Sequence, residues 1–185
     1  ASENEWLSAV GIKMDEENIP SWHKIGSYLV EGDRKHGEKA FFWLLATEKG
    51  LCVFVIVEKG SNKIFIHPTN WYLGDCVELF IDVDAKRKKP SKQIFLAYKQ
   101  YNLDQPASNA KGVLIGRALT NNGYTLEAMI PWKELGFESI PLEFAMDFQV
   151  DFGNSEGRYL QLTYATGTNE AWISSERYII TVLKP

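Results

Sequence analysis

The sequence predicts an all-β protein, an antiparallel β-sandwich of the jelly-roll kind with at most short helical turns. Three observations carry this. Apolar residues recur with a period of two along most of the chain, no long stretch shows a helical apolar stripe, and short apolar segments are separated by turn-forming residues. The 185 residues are read as one domain, 1–185, long enough to bury a sizeable core.

The elements follow in order. Ala40–Thr47 (AFFWLLAT) and Leu51–Val57 (LCVFVIV) are apolar on both faces and joined by Glu48-Lys49-Gly50, so they read as the central hairpin of a sheet covered on both sides. Cys76–Asp82 (CVELFID) alternates, with Val77, Leu79 and Ile81 on one face and Glu78 and Asp82 on the other. Gln93–Lys99 is a further strand. Val113–Leu119 and Tyr124–Ile130 flank Asn121-Asn122-Gly123, a hairpin-turn signal. Phe144–Phe152 sends Phe144, Met146, Phe148, Val150 and Phe152 inward and Asp147, Gln149 and Asp151 outward. Leu160–Tyr164 and Tyr178–Leu183 complete the set. Pro131-Trp132-Lys133-Glu134-Leu135-Gly136 reads as one helical turn, Pro at its start and Gly at its end. The acidic, weakly patterned segment to Pro20 is expected to wrap the outside.

Composition narrows the function. A net charge of −4 gives no electrostatic case for nucleic acid or an anionic membrane. No apolar run approaches the ~18–20 residues of a membrane-spanning helix. No nucleophile elbow, HExxH motif or phosphate-cradling Gly loop is present, and the three histidines lie in separate segments, so the chain is read as no enzyme. Asp147 and Asp151 share a strand face but stand roughly 13 Å apart at about 3.3 Å per residue, too far for either glycosidase mechanism. The basic run Lys86–Lys92 reads as a solvated hairpin tip. Asp82-x-Asp84 offers two oxygen ligands for calcium without the twelve-residue calcium loop. Cys52 and Cys76, both in strands, either pair, if those strands are neighbours, or are buried free thiols.

Aromatic residues make up 13% of the chain, with six Trp. Trp43 and Trp132 read as core and Trp22 as a further core candidate. Trp71 and Trp172 sit in loops at the entrances of strands. If those strands end at one edge of the sandwich, the two indoles face each other across a slot able to stack on the apolar face of a sugar ring. Asn169, Glu78 and Gln149 are then the polar side chains placed to bond its hydroxyls.

These residues also carry a resemblance. Gly74–Asp82 (GDCVELFID), Gly123–Leu135 (GYTLEAMIPWKEL), Phe144–Asp151 (FAMDFQVD) and Asn169–Tyr178 (NEAWISSERY) resemble, in order, motifs of the family 9 carbohydrate-binding modules. The resemblance spans nearly the whole chain. It implies a β-sandwich with a non-catalytic sugar site in which two tryptophans, here Trp71 and Trp172, hold a terminal ring, with polar help from Asn169 and Glu78. It further implies a structural calcium and a place in secreted or cell-surface systems that degrade polysaccharides such as xylan or cellulose. Two positions depart from the pattern: Phe95 stands where the family has a sugar-contacting arginine, and Ser175 where it has a proline. The resemblance therefore carries neither the exact sugar nor a reducing-end preference to this chain. Two alternatives stand beside it: a structural or docking sandwich with a vestigial sugar site, and a haem-binding sandwich using Met129 or Met146 with a histidine.

Overall fold

A computed structural model of the chain describes residues 23–25 and 28–31 as backbone, and 37–61, 63–99 and 107–182 with their side chains. The segment to Pro20, expected to wrap the outside, and Trp22 lie outside the described residues.

The described strands are β1 (His23–Ile25), β2 (Tyr28–Glu31), β3 (Lys39–Ala46), β4 (Gly50–Glu58), β5 (Cys76–Asp82), β6 (Lys92–Ala97), β7 (Leu114–Leu119), β8 (Gly123–Pro131), β9 (Glu143–Asn154), β10 (Gly157–Thr163) and β11 (Ile179–Val182). They form two antiparallel sheets. One runs β1-β3-β4-β8-β7, the other β2-β10-β9-β5-β6, and β11 pairs with the first half of β9 beyond the end of β10. The helical turn is α1 (Trp132–Leu135), closed by Gly136 at φ 95°, the left-handed conformation that a glycine C-cap adopts without strain. The all-β sandwich expected from the alternation is the fold found.

The core lies between the sheets. Leu51, Val53, Val55 and Val57 of β4 meet Val77, Leu79 and Ile81 of β5 and the inward face of β9. Phe42 stacks on Phe148 across the interface, with centroids 4.2 Å apart. Trp132 is buried, its Nε1 donating to the Thr47 carbonyl at 2.8 Å, which ties α1 to the β3–β4 turn. Trp43 is equally buried, on the far side of the first sheet with Cys52 and Phe54. Cys52 and Cys76 are free thiols: they stand on different sheets, and Cys52 packs with Trp43 and Phe54 on the far side of the first, away from the second. Burial pushes the Cys52 thiol up to about 11 and Cys76, also beside Glu78 and Asp151, well above its ordinary value, so both are inert.

One buried ion pair joins the sheets at one end. Lys59, just past β4, places Nζ 2.7 and 2.6 Å from the two carboxylate oxygens of Asp75, just before β5. Asp75 also accepts the backbone N–H groups of Phe65 at 2.6 Å and Gly153 at 3.1 Å. Burial raises its carboxyl, and Lys59 opposes that rise. Beside it Gly74 and Gly153 pass so closely that a Cβ on Gly153 would meet Gly74 Cα at 2.6 Å. This contact seats the 3-10 turn Trp71–Leu73 against β9.

Lys59→Met leaves the Asp75 carboxylate buried without its cation. Loss of one partner of a buried pair costs about 3–5 kcal/mol, so denaturant unfolding should show the midpoint fall accordingly with the slope unchanged. A loss below about 1 kcal/mol, the size for an exposed pair, would show that the pair does not hold the sheets.

Candidate binding site

The alternation of β5 and β9 sends Glu78 and Phe80, and Asp147, Gln149 and Asp151, to the outer face of the six-stranded sheet. Glu78 lies directly across from Gln149. An outer face normally meets water, yet Glu78, Gln149, Asp151 and Gln161 are each at most 2% exposed. Two pieces of chain flank them: the 3-10 turn and the 164–178 loop. Between these opens a cleft of about 380 Å³, lined by Tyr72, Glu78, Phe80, Gln93, Phe95, Gln149, Arg158, Gln161, Asn169 and Trp172. A second depression of about 480 Å³ beside Lys59, Phe65 and Tyr159 is more open, and its buried cation is committed to Asp75.

The 164–178 loop leaves β10 at Thr163, opposite Gln149, and returns as β11 at Ile179, opposite Met146. Both ends therefore sit on one edge of β9, and the chain between must project over the sheet. Asp147 fixes the departure by accepting the N–H groups of Ala165 at 2.8 Å and Thr166 at 3.2 Å. Ser175 Oγ fixes the return, donating to Asp82 Oδ2 at 2.6 Å. Ala171 and Tyr178 are buried with Phe80 and Ala145, and the Tyr178 hydroxyl donates to the Ala171 carbonyl. At the apex Trp172 remains 61% exposed, its indole N–H donating to the Asn169 carbonyl at 3.1 Å. A large aromatic held out to solvent on an anchored loop is a surface prepared for stacking.

The floor is a polar row across four strands. Gln161 on β10 donates through Nε2 to Gln149 Oε1 on β9 at 2.7 Å, and Gln93 on β6 donates through Nε2 to Glu78 Oε2 on β5 at 2.6 Å. The open edge of β6 is covered by Asn109, whose side-chain amide donates to the Gln93 carbonyl at 2.8 Å and accepts the Phe95 N–H at 2.9 Å. Asp151 bonds Arg158 Nη1 through Oδ1 at 3.2 Å. Its Oδ2 receives no N–H or O–H hydrogen and neighbours Glu78. Burial, then the Glu78 carboxyl, raise Asp151 well above the usual carboxylate range, against the pull of Arg158. Burial raises Asp147 as well, opposed by its N–H donors and the Thr166 hydroxyl.

Of the residues singled out in the sequence, Trp172, Asn169, Glu78 and Gln149 come together around this cleft. Trp71 does not line it: its ring stacks on Phe95, centroids 5.1 Å apart and 15° between planes, and the next residue, Tyr72, lines the cleft instead. Successive residues of a 3-10 turn point about a third of a turn apart, so only one of the pair faces the cleft. Trp172 thus lines the cleft together with Tyr72 and Phe95, with Trp71 stacked on Phe95.

Arg158 and Gln161 were missed for different reasons. Gln161 follows the alternation of Leu160 and Leu162 and was readable from it. Arg158 shares parity with Leu160 and should point inward. The register shifts between them: Arg158 pairs with Gly153 and Leu160 with Phe152, leaving Tyr159 as an extra residue. This β-bulge turns Arg158 onto the outer face. Its guanidinium carbon lies 5.9 Å from the Tyr72 ring centroid.

The other candidates are placed elsewhere. The Lys86–Lys92 run forms an exposed tip, with Ala85 and Arg87 at positive φ. Asp82 is engaged by Ser175 and by the Asp84 N–H, and among the described residues no group of three or more His, Cys, Asp or Glu could hold a metal ion. Met146 lies in the core and Met129 on the other sheet, beyond its far face. His67 Nδ1 accepts the Thr69 and Asn70 N–H groups, shaping the approach to the 3-10 turn.

The family described as carbohydrate family 9 binding domain-like matches residues 21–184. A carbohydrate binding module family 9 from Caldicellulosiruptor kristjanssonii, solved in complex with cellotriose, has a TM-score of 0.71 at 20% identity, covering 93% of this chain and 87% of that one. The same organism's module in complex with glucose gives 0.69 at 19% identity, covering 93% and 88%. At these identities the likeness shows the fold. Among curated protein sequences none matches the chain.

The raised Asp151 sets a pH dependence. A carboxyl that binds its proton more tightly when folded contributes stability that is full below about pH 4, the unfolded value, and is lost as pH rises through the folded value. The thermal unfolding midpoint of the parent should therefore fall as pH rises above about 4. Asp151→Asn should flatten that slope, whatever it does to the absolute midpoint. Identical slopes in the two proteins would show that Asp151 does not set the dependence.

Proposed function

The chain belongs to the family 9 carbohydrate-binding domains, and from that membership we propose that its cleft is a non-catalytic sugar site. A glycan ring stacks on Trp172, and Asn169, Glu78 and Gln149 bond its hydroxyls. The observation that carries this reading is an exposed indole on an anchored loop beside a cleft floored with buried amides and carboxyls. A sugar ring presents apolar C–H faces and a polar edge, and this cleft offers a partner for each. Tyr72 and Phe95 supply the remaining apolar wall. That solved relatives in fold were crystallised with cellotriose and glucose supports a neutral gluco-configured ligand.

The role follows from the ligand. A cellulose- or xylan-like polymer is too large to cross a membrane, so we place the domain in a secreted or cell-surface setting, where it holds polysaccharide for a degrading system. One aromatic stack contributes on the order of 1 kcal/mol beyond buried area. A single site is therefore expected to bind in the roughly micromolar to millimolar range.

Intrinsic Trp fluorescence titrated with glucose, cellotriose and xylotriose, in calcium and again in chelator, tests the reading. The parent should saturate with at least one of them. Trp172→Ala should lose most of that binding with its unfolding midpoint little changed, and Tyr72→Ala should weaken it several-fold. Undiminished binding by Trp172→Ala would sink the proposal.

A further inference from the structure

We infer that the segment of residues 1–20 is a built-in cover for the outer face of the first sheet, seated on Trp43, Cys52 and Phe54. The family match begins at residue 21, so this segment is an addition to the family domain. The face itself calls for a cover. β4 turns Leu51, Val53, Val55 and Val57 to the core and Cys52, Phe54 and Ile56 to the opposite side, where Trp43, Leu45 and Met129 join them. One face of an antiparallel sheet commonly meets water and is then polar. This one is apolar at its centre, and Trp43 is 1%, Cys52 0% and Phe54 4% exposed. Among the described residues no strand or helical turn accounts for that burial. The second sheet lies on the inner face, Trp132 and Leu135 of α1 belong to the core, and the 3-10 turn packs on β5, β6, β9 and β10.

The point of entry selects the segment. β1 is the edge strand of this sheet, and His23 lies across from Phe42, the neighbour of Trp43, so the chain that precedes β1 is delivered to the margin of this face. The other segments of three residues or more outside the described residues attach elsewhere. Residues 32–36 lead from β2 to the start of β3, 100–106 follow β6 of the second sheet, and 183–185 follow β11 there. Five strands about 4.8 Å apart span roughly 19 Å, and twenty residues at about 3.3 Å each reach well beyond that. Within the segment, Val10-Gly11-Ile12-Lys13-Met14 alternates. In extended form it presents three apolar side chains on one side and Lys13 on the other, and Trp6 and Leu7 add apolar area. Apolar surface removed from water on both partners holds such a contact. The inference is independent of the sugar reading, since none of these residues lines the cleft.

Disulfide scanning in the full chain tests the seat, with Cys52 as the fixed partner and Cys76→Ser removing the other thiol. Val10→Cys, Ile12→Cys and Met14→Cys are introduced singly. Lys35→Cys and Leu103→Cys serve as comparisons from two of the other segments. Each protein is oxidised at low concentration, and the linked peptides are identified by mass spectrometry. At least one of the first three should link to Cys52 within its own chain about tenfold or more faster than either comparison, because a seated thiol meets its partner at a higher effective concentration than a merely tethered one. Three positions keep the outcome readable where one cysteine points away from Cys52. A Cys52 that links in none of the first three proteins, or links faster in the Lys35→Cys or Leu103→Cys protein, would overturn the inference.

Discussion

The contact between Lys59 and Asp75 is the constraint on which the rest depends. It crosses from the residue after β4 in one sheet to the residue before β5 in the other. Asp75 does more than neutralise a lysine: its two oxygens also gather the Phe65 and Gly153 N–H groups, so one carboxylate fixes three pieces of chain. Buried charges of this kind give little net stability over an apolar replacement, but removing one partner is costly. What the pair sets is relative position. With Gly74 packed on Gly153, the short turn carrying Trp71 and Tyr72 has one seat, and Tyr72 and Phe95 become one wall of the cleft.

The opposite wall is built on a second buried carboxylate. Asp147 holds the 164–178 loop by its backbone, as Asp75 holds the turn. Between the two walls the sheet presents amides, carboxyls and one guanidinium that are buried yet engaged with one another. Polar groups arranged in this way are already desolvated and oriented before a ligand arrives. A ligand that matches them avoids part of the ordering cost that binding otherwise imposes.

Much of this was legible in the residues, and the rest failed for identifiable reasons. Strict alternation in CVELFID and FAMDFQVDF placed Glu78, Gln149 and Asp151 on one face, because a strand leaves a side chain only two directions. The polar run around Trp172 marked a loop tryptophan correctly. The choice between Trp71 and Tyr72 was not legible, since it depends on the phase of one 3-10 turn set by the distant contact at Gly153. Arg158 was hidden by the alternation itself: a bulge breaks the period, and nothing in Gly157-Arg158-Tyr159-Leu160 announces it. The polymer recognised is set by contacts at the rim, which strand periodicity does not encode.

The 164–178 excursion leaves and rejoins a single edge of β9 within three residues of that strand. No strand pairing lies within it, so its apex is decoupled from the register of the sheet. Changes of length or composition around Trp172 that keep Ala171 seated add little beyond a closure entropy that grows slowly with length. The scaffold can thus exchange one apex for another, as an immunoglobulin exchanges its hypervariable loops. Ligand preference in this architecture is therefore free to diverge faster than the fold that carries it.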